Sequence, residues 1–161
     1  MVGRRDEARP ILERVRRHER ARADEPWAAR LNFALGRVLA ESGDWPAAEV
    51  CFRASLATRR RREPKQWTTF ATAALLGQSL AAQGKPDEAG AYLTDGYRGL
   101  ADRLATVPLR YKHLAADAAD DLARRSLARG DEAGAARWRA ERAKYPPESA
   151  PAPRERPAAA P

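Results

Sequence analysis

The chain of 161 residues is predicted to be all-α, and three observations carry that expectation. A glycine followed five residues later by alanine, then four later by a large apolar residue, recurs as Gly3–Ala8–Leu12, Gly43–Ala48–Phe52 and Gly84–Ala89–Leu93. It weakens in Gly130–Ala135–Arg139. The glycines stand 40, 41 and 46 residues apart, the kind of period that marks a stacked repeat. Apolar residues fall at helical spacing, and no β-branched run at period two competes with them. Apolar content is 43%, much of it alanine, while aromatic content is 7%; closely packed helices need few large side chains.

Taken in order, residues 4–22 read as a charged amphipathic helix with Ala8, Ile11, Leu12 and Val15 on one stripe. Pro10 comes early, where proline costs least, and residues 23–26 turn. A helix from about Trp27 to Ser42 carries Leu31, Ala34, Leu35, Val38 and Leu39. Gly43 closes it in a left-handed conformation, Asp44 caps the next helix and Pro46 enters its first turn. That helix carries Ala47, Ala48, Val50, Cys51, Phe52, Leu56 and Ala57 and ends in Arg59–Arg62. After a loop at 63–66, a helix from Trp67 to Gln83 holds Phe70, Ala73, Ala74, Leu76 and Leu80, and Gly84 ends it. Pro86 opens a helix carrying Ala89, Tyr92, Leu93, Tyr97, Leu100 and Leu104. Residues 106–109 turn around Pro108. A helix over 110–129 follows, Gly130 breaks it, and a last helix runs from Asp131 to about Lys144. Residues 146–161 include six prolines; such a tail cannot bury a core and is expected to be disordered or extended.

Net charge is +8 with a pI near 10.3, which raises nucleic acid as a partner. However, the cations are 26 arginines against four lysines, a bias that a GC-rich genome also produces, and the acidic residues are interspersed with them. Nucleic acid is therefore not the favoured partner. The single cysteine, Cys51, permits no intrachain disulfide and reads as a buried thiol. No apolar run reaches the ~18 residues of a membrane span, and no secretory signal follows the N-terminal charges. A cytoplasmic protein is expected.

This arithmetic resembles the tetratricopeptide repeat (TPR). Leu35-Gly36, Leu39, Gly43, Ala48, Phe52 and Ser55 fill its pattern of large and small positions. Leu76-Gly77, Leu80, Gly84, Ala89, Leu93 and Gly96 fill it again. Leu122-Ala123 begin a further copy, in which Ser126 and Arg139 replace large residues, as a solvent-facing cap would. The period is similar to the roughly 42-residue variant rather than the basic 34-residue repeat. The stretch 56–100, with "LATRRRREPKQW", "LLG" and "DGYRGL", resembles the C-terminal TPR segments of bacterial serine/threonine kinases. No kinase motif of its own is present. The resemblance implies a right-handed α-solenoid of antiparallel helix pairs with about three and a half TPR-like repeats over 1–145: a half repeat 3–24, repeats 26–62 and 66–106, and a degenerate capping repeat 110–144. The opening half repeat lacks its first helix; a truncated gene or an improvised cap over residues 4–22 would account for it.

Candidate chemistry is sparse. Asp117, Asp120 and Asp121 share a helix face, but Arg124 and Arg125 follow at ion-pair spacing. His18 and His113 stand in no metal-ligand spacing and read as surface residues. Arg59, Arg60, Arg61 and Arg62, with Lys65 beyond, form the densest basic run. It could grip phosphate, or simply offset the negative end of a helix dipole. The four tryptophans read as packing residues, with Trp45 partly exposed. No catalytic constellation, cofactor site, metal site or small-molecule substrate is expected.

What the resemblance implies is a non-catalytic scaffold that binds a partner's peptide or helix in the concave groove. The family's groove positions fall on Arg30, Phe33, Arg37 and Ala40, then on Ala71, Ala74, Gln78 and Ala81, then on Asp117, Asp120 and Arg124. A peptide with an acidic segment near Arg30 and Arg37 is the expected ligand. A basic nucleic-acid binder and a remnant of a larger TPR-containing kinase are the alternatives.

Overall fold

A computed structural model describes residues 26–145; the predicted half repeat 3–24 and the tail 146–161 lie outside the described residues. Among the described residues there are six α-helices and no strand. They are α1 (Pro26–Glu41), α2 (Trp45–Arg62), α3 (Trp67–Ala82), α4 (Pro86–Ala101), α5 (His113–Ala128) and α6 (Glu132–Arg142), with a 3-10 turn at Leu109–Tyr111. The chain is all-α.

Each helix pair is closed by the same turn. Gly43, Gly84 and Gly130 have φ of 81°, 73° and 73°, the left-handed region that glycine enters without a Cβ penalty. In each turn the amide three residues past the helix reaches back to a carbonyl of the last turn: Asp44 to Leu39 at 2.9 Å, Lys85 to Leu80 at 3.0 Å, Asp131 to Ser126 at 2.9 Å. Such bonds satisfy carbonyls that a helix end leaves orphaned. Asp44 and Asp131 then cap the second helices by accepting from the amides of Ala47 and Gly134. Lys85 cannot cap in this way, and Asp87 and Glu88 in the first turn of α4 complement its dipole instead.

Small residues set how closely the two helices of a pair approach. A Cβ on Gly36 would lie 2.7 Å from the Phe52 ring, one on Gly77 2.7 Å from Leu93, and one on Gly96 2.5 Å from the Ala74 backbone nitrogen. These contacts, with Ser55 Oγ donating to the Ala29 carbonyl, run α2 antiparallel to α1 and α4 antiparallel to α3. In the third pair Arg139 occupies the position of Phe52 and Leu93 and is exposed. An aromatic cluster fills that end of the core instead. Trp138 packs edge-on to Tyr97 at 5.2 Å, Tyr145 at 6.3 Å, and the Tyr97 hydroxyl donates to Glu141.

Consecutive pairs meet chiefly through the second helix of one and the first helix of the next, α2 on α3 and α4 on α5. On the second-helix layer, Arg53–Glu88 and Arg60–Asp95 join α2 to α4 at the same offset of 35 residues. On the other layer α3 touches α5, and α1 touches α3. Glu49 links α2 to the α3–α4 turn, accepting from Arg53 at 2.7 Å, Gln83 at 2.8 Å and Lys85 at 2.8 Å.

Three expectations change. The helix expected over 110–129 begins later, because extended Pro108 (ψ 143°) and the 3-10 turn precede α5. Leu31, Val38 and Val50 are exposed rather than core; the buried face of α1 uses Ala29, Phe33, Leu35, Gly36 and Leu39. Trp27, expected to pack, is 42% exposed, whereas Trp67 stacks at 5.0 Å on Tyr111.

Candidate functional site

The first helices of the three pairs share one face, and the residues expected there divide into two groups. Gln78 and Ala81 from α3 join Asp117, Asp120, Asp121 and Arg124 from α5 around a cleft of about 640 Å³, with Trp45 at its edge. Arg30, Phe33 and Arg37 stand apart from it on α1. Arg30 is exposed.

Phe33, expected to be an exposed groove residue, is only 8% exposed. The connection 102–112 folds back and lays Tyr111 against it, ring centroids 6.3 Å apart, while Phe52 packs on it from the second-helix side at 6.4 Å. Arg37 reaches the Tyr111 hydroxyl at 3.4 Å and Glu41 at 3.4 Å, with its guanidinium 5.4 Å from the Tyr111 ring centre. Tyr111 therefore occupies the α1–α3 end of the shared face and leaves the α3–α5 end open. Ala71 and Ala74, expected to line the groove, are fully buried, because Gly96 brings α4 against α3.

The open end is electrostatically uneven. Asp120 accepts from Arg142 at 3.0 Å, and Asp121 from Arg124. Asp121 hydrogen-bonded beside Arg124 raises the guanidinium pKa. Asp117 has neither a hydrogen bond nor an ion pair among the described residues. Burial pushes its carboxyl above the usual range, against the opposing influence of His113. His113, expected at the surface, is half-buried; its Nδ1 is enclosed with no hydrogen-bond partner among the described residues, and burial holds its pKa below the ordinary histidine value. Sequence reasoning missed Tyr111, His113 and Trp45 as neighbours of the site. The available signal was the 46-residue interval between Gly84 and Gly130, five longer than the one before it.

Because burial outweighs what His113 and Arg142 return, ionisation of Asp117 opposes folding. An Asp117→Asn variant should melt higher than wild type at pH 7. The sign follows from linkage: with the folded pKa raised, the folded state loses stability as pH climbs past the unfolded carboxylate value. The gain should therefore vanish in thermal melts below about pH 4. A lower melting temperature at pH 7 would show that Asp117 has a partner the geometry does not give it.

The basic run does not form one surface. Arg59 is buried, its guanidinium 5.6 Å from the Phe33 ring centre and 3.0 Å from Glu63, and burial lowers its pKa. It sits on the inner face of α2, so it cannot share a phosphate with its neighbours. Arg60 is paired with Asp95 at 2.8 Å. Arg61 and Arg62 are exposed.

A larger cleft, about 1020 Å³, runs between α4 and α5–α6, where Gly90 and Gly99 shape the surface. Three of its four arginines are engaged: Arg125 donates to the Pro86 carbonyl and pairs with Asp87, Arg129 pairs with Asp87, and Arg103 donates to the Lys65 and Gly99 carbonyls. Among the described residues no group of three or more His, Cys, Asp or Glu side chains is placed to hold a metal ion. Among them, too, no helix is long and apolar enough to cross a membrane. No protein-family model matches the chain, and no curated protein matches it.

Proposed function

We propose that this protein is a non-catalytic interaction scaffold: a tetratricopeptide-repeat array, stacked as a right-handed α-solenoid, that holds an extended peptide or a helix of a partner along its first-helix face. The observation that carries the reading is the cleft in which Gln78, Ala81, Asp117, Asp120 and Arg124 converge from successive first helices. Glycine turns at matching positions and the ladder between α2 and α4 support the stacking. A ligand running from α1 to α5 has to pass over Tyr111, with Arg30 and Arg37 beyond it at one end and the aspartates at the other, which favours a partner with an acidic segment beside α1. The similarity of residues 56–100 to kinase-associated repeats makes cytoplasmic serine/threonine kinase signalling the setting of this proposal. Nucleic-acid binding through Arg59–Arg62 is the weaker reading, since Arg59 is buried and Arg60 is paired.

Panning a displayed peptide library on the full chain tests this. Acidic peptides should be enriched, and reversing both Arg30 and Arg37 to Glu should weaken them about tenfold or more without altering helicity by circular dichroism. Unchanged binding by the double variant would remove the groove from consideration.

A further inference from the structure

The connection before α5 is anchored at two points, Val107 and Leu114, both buried. Between them residues 108–113 form a strap in which no side chain is buried, and Leu109 is 66% exposed. Its 3-10 turn is closed by local bonds, the Tyr111 amide to the Pro108 carbonyl at 2.8 Å and the Lys112 amide to that of Leu109 at 3.1 Å. The Tyr111 ring ties the strap to the first-helix face, lying against Phe33 and 5.0 Å from Trp67. Its hydroxyl accepts from Arg37 at 3.4 Å, long for such a bond. The seat beneath the ring is built without it. Phe33 is backed by the fully buried Phe52 and by the Arg59 guanidinium, 5.6 Å from its ring centre. By the glycine intervals, the positions equivalent to Phe33 are Ala74 on α3 and Asp120 on α5, so α1 alone of the first helices supplies an aromatic floor there.

We infer that the Phe33–Trp67 seat is a ligand subsite for an aromatic residue, held in the free chain by Tyr111 and vacated when a partner's own ring displaces it. The inference rests on the peptide-binding reading above and adds a second requirement to the ligand: a tyrosine-like ring within its acidic segment. Tyr111 shows what the seat accepts, a phenol ring whose oxygen turns toward a guanidinium. Arg37, 5.4 Å from the Tyr111 ring centre, would face a partner's ring in the same way, and the exposed Arg30 on the same helix would meet the carboxylates beside it. The strap moves between its two buried anchors, so the helices keep their packing while the ring is exchanged. Because Tyr111 has to leave first, the apparent affinity for such a ligand is reduced by the fraction of chains in which the seat is open. An acidic peptide without a ring gains nothing from the seat.

Calorimetric titration of the full chain with a pair of synthetic peptides tests this, one a run of glutamates with a central tyrosine, the other with alanine in its place. Tyr111→Ala should bind the tyrosine peptide about tenfold more tightly than wild type does, and the alanine peptide no more tightly. A second readout needs no variant. In wild-type chain saturated with the tyrosine peptide, the ring-to-ring proton contacts of Tyr111 with Trp67 should vanish from the NMR spectrum. Contacts that persist at saturation would overturn the subsite and leave peptide binding on this face standing. So would a Tyr111→Ala chain of wild-type helicity that binds the tyrosine peptide no better than wild type. Failure of wild type and variant to bind either peptide would overturn the subsite and the peptide-binding reading together.

Discussion

Gly96→Ala will destabilise the protein by about 2–3 kcal/mol, one of the two largest effects expected of a conservative change here. The new Cβ would stand 2.5 Å from the Ala74 nitrogen, 2.7 Å from its Cα and 2.8 Å from its Cβ. Two of those atoms are backbone within α3, so no rotamer change relieves the clash and α3 and α4 must move apart. That separation opens contacts around Leu76, Leu80, Leu93 and Leu100, the largest buried leucines. It outweighs the ~1 kcal/mol that alanine gains over glycine in a helix. Gly99→Ala is the control. Its Cβ would approach the Phe70 ring more closely still, but Phe70 is half-buried under the Arg103 guanidinium at 4.4 Å and can swing outward. Gly99→Ala should therefore cost well under half as much. Denaturant melts of the two variants give the comparison, and the reverse order would mean that α3 and α4 are not in this register.

Acidification should weaken the protein through Glu49 by about 2–3 kcal/mol. Burial by itself would raise this carboxyl, but hydrogen bonds from Lys85, Arg53 and Gln83 outweigh it and hold the pKa at about 2 against an ordinary 4.5. Because the folded value is depressed, the stabilisation is complete above pH 4.5 and is lost as pH falls toward 2. The partner Arg53 is correspondingly held charged by Glu49 and Glu88. Glu49→Gln retains the shape of the side chain, costs about 2 kcal/mol at pH 7 and flattens the stability profile between pH 4.5 and 2. Urea melts across that range provide the check. A variant whose profile runs parallel to wild type would move the acid lability to other carboxylates.

What could be read in the sequence follows the range of the interactions involved. The glycine turns and the Gly36–Phe52 and Gly77–Leu93 contacts belong to a pattern that repeats every 41 residues, so helices, turns and close approaches were legible from spacing. The open end of the shared face was legible for the same reason: Gln78, Asp117, Asp120 and Arg124 occupy equivalent or adjacent positions on successive first helices. Tyr111 was not legible. It meets Arg37 across 74 residues of chain, from a connection that departs from the repeat. That single fold-back buries Phe33 and divides the face. Arg59 was misread because its neighbours are arginines; its burial depends on facing Phe33, not on the run to which it belongs. The stripe on α1 looked like core for a simpler reason: apolar periodicity records a need for burial, not the presence of the element that supplies it.

Amide NMR of the full chain, titrated with an acidic peptide recovered by panning, decides whether the proposed partner binds on the first-helix face. Shifts concentrated on Arg30, Arg37, Gln78, Ala81, Asp117, Asp120 and Arg124 are expected. Shifts confined to the opposite layer, around Arg60, Asp95 and Arg98, would contradict binding on that face.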